Sequence, residues 1–351
     1  MTTISDVARA AGVSTATVSR VLNDNPNVRP HLVVQVRKAI DSLDYQPSRV
    51  ARSLRTHRAQ VWALIVDDIR NPFFTDMVRG VEDIAYTEGY SLFLCNAEQD
   101  AAKEVSYLNL ALAERVAGVI VTPTKETLDV SALLNRGVAV VTADRRLRNH
   151  DVDSVVVDNV LGAKQAVRHL LDGGYTRIAC ITGPLNVTTG AERFAGYRLA
   201  LHEAGIQFAD SLVRTGDFRE AGGHAAMQDL LRLRRPPDAV FVGNNLMTVG
   251  ALYALAEAGL VVPNDVAIVG FDDMAWASLL KPSLTSVAQP IYDLGVETAR
   301  LLLSRIAGYS GAARSVMLSP SLKIRQSSAP KVQVDKAETA VARTPMKLAT
   351  N

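Results

Sequence analysis

Two textures of apolar spacing divide the chain. Over the first 45 residues the apolar positions recur every three to four residues, the spacing of helices with one buried face. Residues 3–22 read as two short helices around a tight turn. Thr3 with Asp6 has the form of a capping box, and Gly12 stops the first helix because glycine enters the left-handed region cheaply. Ser14 caps a second helix over residues 15–22. Pro30 suits a first helical position, and Val33, Val36, Ile40 and Leu43 make one stripe of a third helix over 30–43. From Val61 the texture changes to apolar runs of strand length separated by amphipathic stretches. VWALIVDD, SLFLCNA, GVIVTPT and VAVVTAD read as strands, with helices over 72–88, 101–113, 128–135 and 160–171. RIACITG, AVFVGNN and VAIVGFDD form a second run, with helices over 190–204, 221–233, 247–258 and 291–307. Such alternation predicts parallel sheets covered by helices on both faces.

The second helix carries the first chemical signal. At about 100° per residue, Val18, Val21 and Leu22 fall on one arc. Ala16 and Arg20 fall opposite, flanked by Thr15, Thr17 and Ser19. One face is core, and the other is small, hydroxyl-bearing and basic. A solvated amphipathic hairpin gives that pattern, and so does a helix that enters a major groove, where small residues permit close approach and Arg forks onto guanine. Charge favours the second reading. The 351-residue chain has a net charge of only +2, yet its first 60 residues hold nine Lys and Arg against four acids, a net of +5.

The remaining composition narrows the class. The hydrophobic fraction of 48% is ample for a large core, and 351 residues imply two or more structural units. Cys95 and Cys180 each sit in an apolar run and read as buried free thiols rather than a disulfide framework or metal site. No apolar leader or run of about 20 apolar residues is present, so a soluble, cytoplasmic protein without membrane contact is expected.

The ordered match TISDVARAAGVSTATVSRVLN, followed by Y-x-P-S-x-V-A-R-S-L from Tyr45, resembles the headpiece and hinge of the LacI/GalR family of bacterial transcription regulators. The resemblance continues to about residue 327. It implies an α plus α/β protein: a helix-turn-helix headpiece over 1–46, a hinge helix or linker over 47–60, then a periplasmic-binding-protein-like core of two doubly wound α/β subdomains. The chain would cross between subdomains near 159, 289 and 316. One subdomain would take 61–159 with 290–316 and the other 160–289 with 317–328, leaving 329–351 as a disordered tail. A hinge this short is marginal in water and is expected to fold only when paired on DNA.

Site residues follow from the same resemblance. Thr15, Ala16 and Arg20 match base-reading positions, and Ser14, Thr17, Asn23 and Tyr45 match phosphate-holding ones. Leu54 matches a wedge that enters the minor groove, with Ala51 one turn earlier and Arg55 beside it. In the core, Arg193 and Asp272 match effector-binding positions and Asp158 a cleft-lining one. Asn244 would join Arg193 and Asp272 in bracketing vicinal hydroxyls, and Phe73, Phe74 and Phe218 would stack on an apolar ring face. Arg193 and Asp272 would equally form a plain ion pair, Phe74 would equally be core, and Trp276 would be core or cleft rim. Val187 stands where purine-sensing members carry a basic residue, and Asn245 replaces an aspartate common in the family.

The implied protein is a homodimeric repressor of a palindromic duplex operator, controlled by a sugar or sugar derivative, with no cofactor and no catalysis. A nucleoside or purine-type corepressor is the alternative, and a sugar-binding receptor without a transcriptional role a more remote one. An enzyme finds no support: the six histidines are scattered, and no nucleophile elbow or phosphate-binding glycine loop occurs. Asp67–Asp68 and Asp272–Asp273, as neighbours in strands, would point to opposite faces and make poor acid–base pairs.

Overall fold

A computed structural model describes residues 2–22, 25–45 and 60–331. The headpiece holds α1 (Ile4–Ala10), α2 (Thr15–Leu22) and α3 (Pro30–Ser42). The capping box forms as the sequence predicts, with Thr3 and Asp6 exchanging side-chain and backbone bonds. Ser14 Oγ accepts the Thr17 N–H at 3.2 Å and so opens α2. Val7, Val18, Val21, Val36 and Ala39 close a small core, with Tyr45 packed into it.

The rest of the chain builds two six-stranded sheets. The first takes β1 (Val61–Val66), β2 (Ser91–Asn96), β3 (Gly118–Val121), β4 (Ala139–Ala143) and β5 (Asp153–Val157), with α4 (Pro72–Thr87), α5 (Ala101–Ala113) and the short α6 (Ser131–Leu134) between them. After α7 (Asn159–Asp172), the second sheet takes β6 (Ile178–Thr182), β7 (Val213–Thr215), β8 (Ala239–Val242), β9 (Ala267–Phe271) and β10 (Thr285–Ala288), with α8 (Thr188–Glu203), α9 (Glu220–Leu231) and α10 (Asn245–Glu257). Then α11 (Ile291–Ile306) returns to the first subdomain, β11 (Ser315–Leu318) completes its sheet, and β12 (Ser321–Lys323) completes the other.

The strand orders are β2-β1-β3-β4-β5-β11 and β7-β6-β8-β9-β10-β12. All pairs are parallel except β10 with β12. Each strand feeds both faces of its sheet. Trp62, Leu64 and Val66 join one core cluster, while Ala63 and Ile65 join the one behind. Helices close tightly where glycines meet backbone. A Cβ on Gly80 of α4 would strike the Tyr292 carbonyl of α11, and one on Gly295 would strike the Met77 carbonyl in return.

Several sequence expectations need correcting. The strands β5, β7, β10, β11 and β12 are not expected from the pattern; β7, β11 and β12 are half-exposed edge strands with little apolar signal. The helix expected over 128–135 shrinks to four residues, Ser131–Leu134, with the Asp129 carboxylate accepting the Ser131 N–H at 2.9 Å just ahead of it. The third crossing falls at 319–320 rather than 316, since β11 pairs with β5 through Leu318. Residues 329–331 are packed rather than part of a tail: the Ala329 carbonyl accepts from Tyr175 Oη at 2.6 Å, and Lys331 pairs with Asp238 at 2.7 Å. The rest of the expected tail and most of the expected hinge lie outside the described residues.

Candidate DNA-reading helix and effector cleft

On α2, Thr15, Ala16 and Arg20 are exposed, and Thr17 is half-buried. They share the face opposite Val18 and Val21, as the periodicity demands. Ser14 and Thr17 hydroxyls lie 3.0 Å apart at the helix start. Tyr45, expected on the phosphate side, is instead 9% exposed and held in the headpiece core. Asn23, Ala51, Leu54 and Arg55 lie outside the described residues.

The carboxyl ends of the two sheets face each other across a narrow cleft, the place where open α/β sheets take ligands. The first subdomain contributes Asp67, Asp68 and Asn71 after β1, Gln99 after β2, and Asp144 and Arg145 after β4. Phe73 and Phe74, at the start of α4, complete this wall as an edge-to-face pair with centroids 5.1 Å apart. The second subdomain contributes Thr189 and Arg193 from α8, Phe218 after β7, Asn244 and Leu246 around the start of α10, Asp272 after β9 and Gln289 after β10.

Arg193 is buried and held on three sides. Its Nε donates to Asn159 Oδ1 (2.8 Å), its Nη1 donates to the Gly243 carbonyl (2.7 Å), and its guanidinium lies 3.9 Å from the Phe271 ring centroid. Neither bond goes to a carboxylate. Burial lowers its proton affinity, while Asp272 and Asp144 support the charge. Asp272 accepts from Gln289 Nε2, and its second oxygen lies 3.4 Å from the Asn245 amide nitrogen. Arg145 pairs with Asp67 at 2.8 Å, donates to the Pro123 carbonyl at 3.0 Å, and lies 3.5 Å from Asp144. Burial pushes the Asp144 carboxyl up to about 6, against the pull of Arg145 and Arg193. Asp144, Phe218 and Asp272 all sit at positive φ, +65°, +62° and +72°. Backbone strain of that kind in non-glycine residues collects at ligand sites.

Two expected cleft residues have other employment. The Asp158 carboxylate accepts the Leu161 N–H and caps α7, off the cleft lining. Its neighbour Asn159 is the one that orients Arg193. Asn244 does line the cleft, but its Oδ1 caps α10 at Met247 and its Nδ2 donates to the Phe218 carbonyl. It shapes the wall rather than offering a free amide. Phe74 is both core and cleft wall, and Trp276 packs against both subdomain cores without lining the cleft.

Asp67, Asp68, Gln99, Asp144, Arg145 and Gln289 are cleft residues that motif reasoning missed. A usable signal existed: Asp67, Asp68 and Asp144 each end an apolar run, and strand ends are where such folds place ligands. The opposite-face argument fails for Asp67 and Asp68, which lie beyond β1, where alternation no longer applies, and both line the cleft. It holds for Asp272 and Asp273: the second turns away to pair with Arg325 at 2.7 Å.

Comparison with known proteins agrees with this geometry. Residues 3–48 match the family described as bacterial regulatory proteins, lacI family, and residues 167–328 match a periplasmic binding protein-like domain. The ribose operon repressor of Escherichia coli (strain K12) is 39% identical over 330 residues, 93% of this chain and 100% of that protein. The chain belongs to the lacI family. Catabolite control protein A of Priestia megaterium is another relative, 38% identical over 93% of this chain and 99% of its own length. Among solved structures, the lac repressor dimer bound to operator and the anti-inducer ONPF superposes with a TM-score of 0.84 at 27% identity, covering 93% of this chain and 99% of that one. The transcriptional regulator CelR in its cellobiose complex gives 0.72 at 34% identity, covering 93% and 100%. As in those lacI-family regulators, this chain is a DNA-binding transcriptional repressor with a small-molecule domain behind its headpiece. Among the described residues no helix is long and apolar enough to cross a membrane.

Proposed function

We propose that this repressor acts in the cytoplasm as a homodimer on a pseudo-palindromic operator, and that its effector is a sugar or sugar derivative bound in the cleft. One observation carries the ligand class: the cleft is rich in acceptors. Asp144 and Asp272 bring carboxylates from opposite walls. Among the described residues Asp67 Oδ1 and Gln289 Oε1 find no donor on the protein. Buried acceptors without donors are costly, and a ligand bearing several hydroxyls supplies donors to all of them. Phe73 and Phe218 offer flat apolar faces to the carbon ring. The relatives named for a ribose operon and solved as a complex with cellobiose support the same class.

The nucleoside-type alternative draws on relatives named as the repressor PurR, 37% identical for that of Edwardsiella ictaluri. Against it, Val187 precedes α8 as a buried apolar residue and offers no charge. A thermal-shift screen of neutral sugars, sugar acids and nucleosides separates the readings, because a bound ligand raises the melting temperature by mass action. A neutral sugar is expected to give the largest shift. A shift confined to nucleosides transfers the assignment to the alternative.

For the DNA side, the exposed face of α2 supports base reading by Arg20. Arg20→Ala is expected to cost roughly 1–3 kcal/mol of discrimination between operator and random duplex. Equal losses on both duplexes would reduce Arg20 to a phosphate contact. For the homodimer, the support is apolar surface on each subdomain: Phe93 and Leu94 on edge strand β2, and Tyr253, Val261 and Leu279 on the other.

A further inference from the structure

Asn245 opens α10 at the cleft's edge, 1% exposed and outside the cleft lining. Its Nδ2 donates to Asn71 Oδ1 at 2.8 Å. Asn71 belongs to the other subdomain, so one side-chain bond runs directly from wall to wall. Both amides are fixed in orientation by backbone donors. Asn71 Oδ1 must accept the Phe73 N–H (3.0 Å) to cap α4. Asn245 Oδ1 must accept the Leu246 N–H (2.7 Å). Neither can flip without leaving a buried N–H unpaired.

Arg145 of one wall also lies over the Phe218 ring of the other, 5.9 Å from its centroid, and two further polar links are more exposed. Arg219 reaches the Glu98 carbonyl at 3.2 Å with an exposed side chain, and Arg146 stands 3.7 Å from Glu192. A bond between two buried amides is shielded from water and salt in a way those are not.

We propose that the Asn245–Asn71 bond is a clasp that sets how far the cleft stands closed, which makes Asn245 a positioning residue for the effector response. It acts through Asn71, and its backbone N–H, 3.4 Å from the Asp272 carboxylate, sets the clasp beside the cleft wall. The role requires a side chain that donates and accepts at once. Aspartate only accepts, and its carboxylate would stand against an Asn71 oxygen already directed at α4. For an effector that touches both walls, apparent affinity scales with the closed fraction. That consequence rests on the cleft reading above; the test does not, since it adds no ligand.

Trp276 packs on the cores of both subdomains and reports their approach, while Trp62 is fully buried in one core. Acrylamide quenching of the full-length protein is compared for wild type, Asn245→Asp and Asn245→Ala at pH 7.5 and pH 5, with circular dichroism as the folding control. Both variants are expected to roughly double the quenching at pH 7.5, as the open population grows. At pH 5 the introduced carboxyl takes up a proton and regains a donor, so Asn245→Asp is expected to return toward wild type while Asn245→Ala does not. The other charged groups at this point are Asp67, Asp68, Asp144, Arg145, Arg193 and Asp272, and the alanine variant, which retains them all, is the control for pH. Wild-type quenching in both variants at pH 7.5 overturns the clasp. A change in Asn245→Asp that persists at pH 5 overturns it too, by assigning the effect to packing alone.

Discussion

Asp144 shows how a single residue trades stability for recognition. Its carboxyl titrates near pH 6 because burial disfavours the charge more than Arg145 and Arg193 favour it. That lies above its ordinary value of 3.8. Folding therefore takes up a proton between about pH 4 and 6, and stability falls as pH rises through that window. Above it the buried charge opposes folding. Asp144→Asn is expected to raise stability at pH 7.5 by an amount on the order of 2 kcal/mol, read by thermal denaturation. The same variant loses a charged acceptor and is expected to bind the proposed sugar more weakly, as read by calorimetry. In the wild type, affinity for the proposed sugar is expected to fall as pH drops below about 6, where Asp144 takes up its proton. A variant that gains no stability at pH 7.5 would place the charge in a better-solvated setting than the geometry indicates.

At the scale of elements, Asp153 ties three pieces of the first subdomain together. It opens β5 with no exposed surface, pairs with Arg305 of α11 and with Arg314 just before β11, and accepts the Arg314 N–H at 2.8 Å. Burial pushes its carboxyl up, yet the bonds from Arg305 and Arg314 together outweigh it and hold the group at about 2. The folded value lies below the unfolded one, so this stabilisation is complete above about pH 4 and is lost as pH falls towards 2. Asp153→Asn leaves two guanidinium groups facing a neutral amide. It is expected to cost about 3–5 kcal/mol in a denaturant titration at pH 7, with the difference from wild type shrinking near pH 2. Nothing in the local sequence announces this: Asp153 and Arg314 are 161 residues apart.

For the whole molecule, the two subdomains repeat one strand order, and their facing carboxyl ends make the site. Neither wall alone holds opposed carboxylates; Asp144 and Asp272 come from different sheets. Pairing of copies belongs to this scale as well. Leu279 is 78% exposed beside an apolar hollow lined by Leu252, Leu255 and Leu280. Leu279→Asp is expected to weaken self-association at least about tenfold in sedimentation velocity, since a charge at an apolar contact must be desolvated. It should leave sugar binding to the cleft intact. An unchanged dimer would move the interface to the β2 edge.

The sequence by itself determined the headpiece helices and most of the inner strands. Local periodicity and capping are short-range properties, so the capping box at Thr3, the buried and exposed faces of α2 and the central strands follow from neighbours a few residues apart. The resemblance also pointed to Arg193 and Asp272, and both line the cleft. Only the tertiary structure decided what each side chain does there. Asp158 became a helix cap and Asn159 the partner of Arg193. Tyr45 turned into the headpiece core, and Asn244 became a wall. Asn245 found Asn71, 174 residues away in sequence. Hydrogen-bond partners are chosen by distance in space, and a chain that crosses three times between two sheets places its polar groups where no local pattern records them.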